Sequence, residues 1–309
     1  MKLFFFTILG LLITFVTIVM ISPAAKTKAI SLASQLIAKK NIQVKNNIAY
    51  GSLVRQTLDH YQPKTGSTKK TILIFYYGGG WKSGEKSIYY AIGAELASKG
   101  FDVIIPDYRL FPEVKFPKFV DDAALAYNWV WQNFAKGQDR PIILIGHSAG
   151  AHIASLMAYD QSYLKKFNQA SNPKFKPAAF IGFAGPYAFN PVTWPTTKDI
   201  FSTIKDEDLA RPVAFANSKS PPTLLFHGEK DTVVKRWNME TLSKALKANK
   251  VDVEANLLPN ISHIDIMLNI GLPLKQQKNI LEKMMNFIKK VEKRAEFSRS
   301  KTTLNNNTD

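Results

Sequence analysis

The chain of 309 residues contains no cysteine. Disulfides, thiolate metal sites, a cysteine nucleophile and a lipid anchor on cysteine are therefore excluded. The redox compartment stays open, because a cysteine-free chain folds equally well on either side of a membrane. Acidic residues are also scarce, 24 Asp and Glu against 41 Lys and Arg, for a formal net charge of +17. Such an excess suits nucleic acid or an anionic membrane, and its distribution separates the two. Residues 1–45 carry six lysines and no acid, and residues 289–301 carry six basic residues against two acids. The rest of the excess is spread without a basic run, and no RNA- or DNA-binding motif is present. Charge at the two ends, beside an apolar segment, fits a membrane surface and not a nucleic-acid groove. Metal and nucleotide signatures are absent too, so neither a metal nor a cofactor is implied. What remains is ordinary for a globular protein, 46% apolar and 21% charged.

One long apolar run is present. Leu3 to Ile21 is uncharged over 19 residues, close to the roughly 20 needed to span a bilayer as a helix. Residues 1–24 thus read as a membrane anchor or, with Ser22-Pro23-Ala24 as a weak cleavage site, as a signal peptide. Lysines gathered after the run favour a cytoplasmic catalytic domain, whereas a signal-like segment would export it. Residues 25–45 form a basic juxtamembrane segment, in which Ile30, Ala33 and Ile37 recur at helical spacing.

From about Asn46 to 293 the pattern alternates strands and helices, as a mostly parallel sheet covered on both faces requires. Strands are expected near Ile48–Tyr61, at Thr71–Tyr77, Asp102–Ile105, Pro141–Ile145, Ala178–Phe183, Thr223–Phe226 and Val251–Leu258. Helices are expected over Ile88–Ser98, Phe119–Phe134, from Ala149 to Tyr159, and over Leu274–Val291. Residues 294–309 read as a polar, disordered tail.

The strand ending at Ile145 runs straight into Gly146-His147-Ser148-Ala149-Gly150, and an apolar helix follows. A serine at a sharp strand-to-helix turn has its hydroxyl pushed out at the carboxyl end of the sheet. The turn is crowded, hence the glycines, and the helix N-terminus favours negative charge developing beside it. Gly-x-Ser-x-Gly alone is a weak signal; this placement makes Ser148 the candidate nucleophile.

A hydroxyl needs a general base, and the base needs an orienting carboxylate. Folds with this elbow place them in the order Ser, acid, His, each on a loop after a strand. Of five histidines, His60 precedes the serine and His147 lies inside the elbow, its side chain diverging from that of Ser148. His152 sits one turn along the helix, and His227 ends a strand as a loop brace. His263 follows the last strand in a polar turn and is the candidate base. Asp231, in the loop after the penultimate strand, is the candidate acid. Glu229, two residues earlier on that loop, is its competitor.

Gly78-Gly79-Gly80-Trp81 follows the strand Thr71–Tyr77. Three glycines permit backbone conformations that let N–H groups converge on one point. A tetrahedral oxyanion needs such donors, together with the N–H of Ala149, the residue after the serine.

With these motifs, joined by Leu58-Asp59-His60-Tyr61-Gln62-Pro63, Asp107-Tyr108-Arg109-Leu110 and Asp121-Asp122-Ala123, the chain resembles the esterase/lipase branch of the α/β-hydrolases that carries an HGGGW-type loop. Carboxylesterases, hormone-sensitive-lipase-like enzymes and kynurenine formamidases belong to that group. The resemblance implies an α/β-hydrolase fold and places Gly79 and Gly80, with Trp81 a further candidate, as oxyanion donors beside Ala149. Tyr77 stands where the family usually has His, which is taken to brace the loop, so the resemblance leaves the rigidity of this loop open. Asp107 and Arg109 read as structural residues that pin loops together.

The segment Gly185–Pro222 holds Tyr187, Phe189, Trp194 and Phe201, and is expected to wall an apolar pocket. A small apolar ester is the expected substrate. An amide cleaved by the same residues is the alternative, because both reactions pass through one acyl-enzyme. A catalytically dead binding protein has no reason to retain all three side chains.

Overall fold

The computed structural model describes residues 41–167, 172, 174–271 and 277–305. The anchor or signal segment and the basic helix expected before residue 41 lie outside these residues. Among the described residues no helix is long and apolar enough to cross a membrane.

Eight strands, β1 (Ile42–Ala49), β2 (Thr57–Pro63), β3 (Ile72–Tyr76), β4 (Asp102–Pro106), β5 (Ile142–His147), β6 (Ala179–Phe183), β7 (Thr223–Gly228) and β8 (Val253–Leu258), make one sheet. Their spatial order is β1-β2-β4-β3-β5-β6-β7-β8. Only β2 runs against its neighbours; from β4 to β8 every pairing is parallel. A parallel sheet is covered on both faces, so its strands must be apolar throughout. Ile72–Tyr76, Ile142–His147 and Ala179–Phe183 are accordingly buried at every position. This is the α/β-hydrolase fold.

Among the described residues seven α-helices link and cover the strands: α1 (Tyr90–Ser98), α2 (Lys118–Val130), α3 (Ala149–Tyr159), α4 (Ser162–Lys165), α5 (Trp237–Ala248), α6 (Asp265–Gly271) and α7 (Gln277–Asn305). Helix α3 behind the elbow is buried along its whole length, which explains why its sequence is apolar on every face instead of striped.

Two boundaries differ from expectation. β1 begins at Ile42, so four residues assigned to the basic segment before residue 46 belong to the catalytic domain's sheet. Their polar alternation, read as linker, is that of an edge strand open to water on one side. The tail expected to be disordered from Arg294 is instead helical as far as Asn305. No proline or glycine interrupts 294–305, and polar composition alone does not oppose a helix. Arg294 also ties α7 to β8's approach through an ion pair of 2.6 Å with Asp252.

Candidate active site

Ser148 sits between β5 and α3 with φ 53 and ψ −123, a backbone region costing a non-glycine residue on the order of 1–3 kcal/mol. The elbow is held there by contact. A Cβ on Gly150 would lie 2.1 Å from the Tyr76 carbonyl oxygen, and one on Gly146 would lie 2.5 Å from Ala151 Cα. No larger residue fits either position. The Ser148 N–H donates to the Phe183 carbonyl at 2.9 Å, which ties the turn to the neighbouring strand β6.

His263 Nε2 lies 2.9 Å from Ser148 Oγ, and its Nδ1 lies 2.7 Å from Asp231 Oδ2. The other oxygen of Asp231 accepts the N–H groups of Val233 and Val234, each at 2.9 Å. Burial would raise the Asp231 carboxyl, but hydrogen bonds from His263 and Val234 outweigh it and hold the group below the usual carboxylate range. It therefore stays ionised and fixes the proton on Nδ1, leaving Nε2 as acceptor toward the serine hydroxyl. Glu229 is exposed and its nearest polar partner is the Asn260 N–H, 3.4 Å away. Asp265 instead accepts from the hydroxyl of Ser262 at 2.6 Å, at the start of α6.

Three of the other four histidines pack around this arrangement, while His60 pairs with Asp102 on β2 and β4. His227 Nε2 donates to the Val234 carbonyl at 2.9 Å and closes the loop that carries Asp231. His147 Nε2 donates to the His263 backbone carbonyl at 3.0 Å, with the two rings 4.8 Å apart. Burial, followed by the neighbouring His263, pushes the His147 pKa down to about 3, so the ring is neutral. His152, expected on the helix surface, is fully buried and donates to the Ala210 carbonyl at 2.7 Å. The segment 185–222 folds down over it, which one sequence cannot reveal.

The glycine loop lies directly against the elbow: a Cβ on Gly78 would come within 2.9 Å of both Ser148 Cβ and His147 Nδ1. Gly79 has φ +141 and Gly80 φ +59, and the loop closes on itself as Lys82 and Ser83 donate to the Gly79 carbonyl. No protein acceptor among the described residues takes the N–H of Gly79, Gly80 or Ala149. Gly80, Trp81 and Ala149 line the cavity over Ser148, whereas Gly79 stands one residue behind its wall.

Tyr77 holds this loop from below. Its hydroxyl donates to Asp107 Oδ1 at 2.6 Å and accepts from Arg55 Nη2 at 2.8 Å. Arg55 also donates to the carbonyls of Tyr108 and Gly84, and Tyr108 donates to the Tyr77 carbonyl. The backbone N–H and ammonium of Lys86 complete the set on Asp107. Arg109 forms a two-pronged pair with Asp122, at 2.7 and 2.8 Å. Arg55 carried no signal in the sequence, because the β1–β2 turn that brings it here has no motif.

The cavity has a volume of about 330 Å³. Phe189 and Trp194 wall it as expected, but Tyr187 and Phe201 are buried beneath. Phe201 packs edge-on against Trp81 at 5.1 Å and supports the loop instead of meeting solvent. The opposite wall, Val233, Val234 and Trp237, comes from the stretch after Asp231 and was not anticipated.

Residues 58–246 match the model of the BD-FAE family, well over half of the chain. The chain belongs to that family. It falls within the esterase/lipase branch of the α/β-hydrolases, as its motifs suggested. A probable isoprenylcysteine α-carbonyl methylesterase of Arabidopsis thaliana is 29% identical over 252 residues, 73% of this chain and 58% of that protein. Esterase LipC of Mycobacterium tuberculosis is 28% identical over 240 residues, 71% of this chain and 59% of its own. This BD-FAE chain thus spans less than two thirds of the length of the curated relatives. Among solved structures, esterase B from Lactobacillus rhamnosis superposes with a TM-score of 0.72 at 22% identity, covering 89% of this chain and 95% of its own. That likeness speaks to the fold.

Proposed function

We propose that the protein is a carboxylic-ester hydrolase that works through an acyl-enzyme on Ser148. The observation that carries this reading is the hydrogen-bonded line Asp231–His263–Ser148, ending at an apolar cavity beside unpaired N–H groups. Relatives named as methylesterase and esterase point to esters over amides. Ser148 Oγ attacks the ester carbonyl while His263 Nε2 takes its proton; Asp231 holds the tautomer and stabilises the imidazolium. The carbonyl oxygen becomes an oxyanion that the N–H groups of Gly79, Gly80 and Ala149 receive, aided by the positive end of α3. His263 then gives its proton to the departing alcohol oxygen. A water molecule, deprotonated by the same nitrogen, attacks the acyl-enzyme and releases the acid. Residues 3–21 are long and apolar enough for a membrane anchor, the alternative being a signal peptide cleaved after Ala24 and an exported enzyme.

Replacing the nucleophile tests the reading. Ser148→Ala should leave the fold intact, shown by an unchanged circular dichroism spectrum and melting temperature. Ester hydrolysis and labelling by a fluorophosphonate should both be lost, because only the residual catalysis of the oxyanion site remains. Labelling that persists at another serine would overturn the assignment.

A further inference from the structure

The cavity over Ser148 is built for one half of an ester. Gly80 and Ala149, whose N–H groups receive the carbonyl oxygen in the proposed mechanism, line it together with Ser148. His263 does not line it, although its Nε2 stands 2.9 Å from Ser148 Oγ. The departing alcohol oxygen must come within reach of that nitrogen to take its proton. The alcohol therefore leaves on the His263 side, and the cavity takes the acyl half.

Walls and volume describe that half. Trp81, Phe189, Trp194, Val233, Val234 and Trp237 line the cavity. Of these, Trp194 and Trp237 are 57% and 43% exposed, which places them at its mouth. An engineered apolar cavity of about 150 Å³ takes a benzene molecule. The volume here is about 330 Å³, so an acyl group of about ten carbons has room along these walls.

The charges that line the cavity are of one sign. Lys82 and Lys235 line it and are exposed, and no Asp or Glu lines it. Lys82 follows Trp81 of the glycine loop and carries its Nζ 5.7 Å from the centre of the Phe111 ring. Lys235 follows Val234, whose N–H binds Asp231. Acids on the adjoining segments have cations of their own: Glu240 pairs with Arg236, and Glu207 and Asp208 pair with Arg211. Among the described residues neither lysine forms an ion pair. A lysine stem is flexible enough for the ammonium to follow a ligand. Two uncompensated cations beside an apolar cavity attract an anion and repel a cation.

We propose that the Ser148 cavity selects esters whose acyl chain is apolar and ends in an anionic group, with Lys82 and Lys235 setting that preference. The chain lies against the tryptophans, and its charged end stays in water at the mouth, within reach of the two ammonium groups. With a carboxylate as the end group, hydrolysis consumes one water and releases the alcohol, a dicarboxylate and a proton. The cleavage rests on the hydrolase reading above; the charge preference belongs to the cavity and does not.

Opposite charges on one chain length make the test, because an exposed ion pair contributes modestly and hydration must be matched. The full chain is assayed on mono-p-nitrophenyl suberate and on p-nitrophenyl octanoate carrying a terminal trimethylammonium group. KM for the anionic ester should be at least fivefold the lower of the two, with the difference in KM and not in kcat. Raising ionic strength from about 0.01 M to about 1 M shortens the Debye length from about 30 to about 3 Å and should shrink that difference at least threefold. Lys82→Gln/Lys235→Gln should bring the two KM values within about twofold, and Lys82→Glu/Lys235→Glu should reverse their order. Lys82→Arg/Lys235→Arg keeps both charges and should keep the order. Equal KM values in the unaltered chain, or an order that survives the double glutamate variant, overturn the proposal. Binding is read apart from cleavage by titrating the Ser148→Ala chain with the same two esters in a calorimeter. Anion-selective binding there, with neither ester cleaved by the unaltered chain, upholds the preference and rejects the hydrolase reading. Cleavage of both esters at equal KM does the reverse, so the two failures are distinct.

Discussion

Two loop systems meet at Ser148, and they are stabilised in opposite ways. On the side of β7 and β8, the polar groups that hold the loops include His263, which would move the proton, and Asp231, which orients it, with His227 and His147 bracing them. On the side of β3, the polar groups stand beneath the glycine loop. Tyr77, Arg55 and Asp107 touch its base, while the loop offers only backbone N–H groups. The first side is thus sensitive to the charge state of single atoms. The second is sensitive to position alone, because backbone donors do not titrate. A buried hydrogen bond in a connected network adds to rigidity more than its share of stability suggests.

The largest effect expected on the first side comes from the carboxylate. Asp231→Asn keeps the shape and removes the charge that fixes the His263 tautomer, so the turnover rate should fall on the order of 10⁴-fold. Glu229→Gln should change it less than twofold, since that side chain is exposed and does not reach His263. Steady-state kinetics on one soluble ester decides between them. Equal losses would show that the loop, and not Asp231 in particular, carries the function.

A smaller loss is expected on the second side. Tyr77→Phe removes the hydroxyl shared by Asp107 and Arg55 but keeps the ring stacked on Tyr108 and Tyr89, at 4.8 and 5.4 Å. Arg55 and Asp107 each retain other partners. Turnover should drop about tenfold and stability by about 1–3 kcal/mol, the cost of unpairing a buried polar group, read from urea titration. Tyr77→His should do worse than Phe. The shorter imidazole cannot reach Asp107 from this backbone position and leaves a void between two rings. A histidine variant as active as the parent would show that the loop tolerates the family's usual brace.

The sequence made one of these sides far more legible than the other. Ser148, Asp231 and His263 could be picked out as candidates because each follows a strand, directly or on the loop after it, and strands announce themselves as apolar runs of fixed order. The glycine loop was equally plain. Its support was not: Arg55 arrives through a hairpin turn without a motif, 22 residues before Tyr77. Val233 and Trp237 were missed because the direction of the chain after Asp231 depends on two N–H groups folding back onto that carboxylate. The bond from His147 to the His263 carbonyl spans 116 residues. Long-range contacts of this kind leave no local pattern. The same reason hid the burial of His152 beneath Ala210.

The smallest effect sharpens the comparison, because burial lowers the pKa of histidines on both sides: His147 and His227 on the first, His152 on the second. His147 adjoins His263, with its pKa pushed from 6.5 to about 3 by burial and then by that neighbour. His152 lies under the glycine loop, its ring 5.2 Å from Trp81, and burial brings it to about 4. In the unfolded chain both bind a proton below about 6.5, whereas in the native protein neither does until pH falls much lower. Their contribution is therefore complete above pH 6.5 and is lost as pH falls toward 3 to 4. By pH 5 each should have lost about 2 kcal/mol of stability. Two carboxylates stay out of this window: Asp102, which burial would raise but His60 and Arg140 hold at about 2, and Asp231 lose their contributions only below about pH 4. Urea titrations at pH 7.5 and 5.0 should show the combined loss, and His147→Gln or His152→Gln should each reduce it by about 2 kcal/mol. Glutamine keeps an N–H donor for the same carbonyl but takes up no proton. The two variants should then part in kinetics. His147→Gln alters the seat of His263 and should lower turnover severalfold with a shifted pH profile, while His152→Gln should leave that profile in place. A loss of stability that neither variant reduces would mean that these rings are not the neutral, buried groups on which the contrast between the two sides depends.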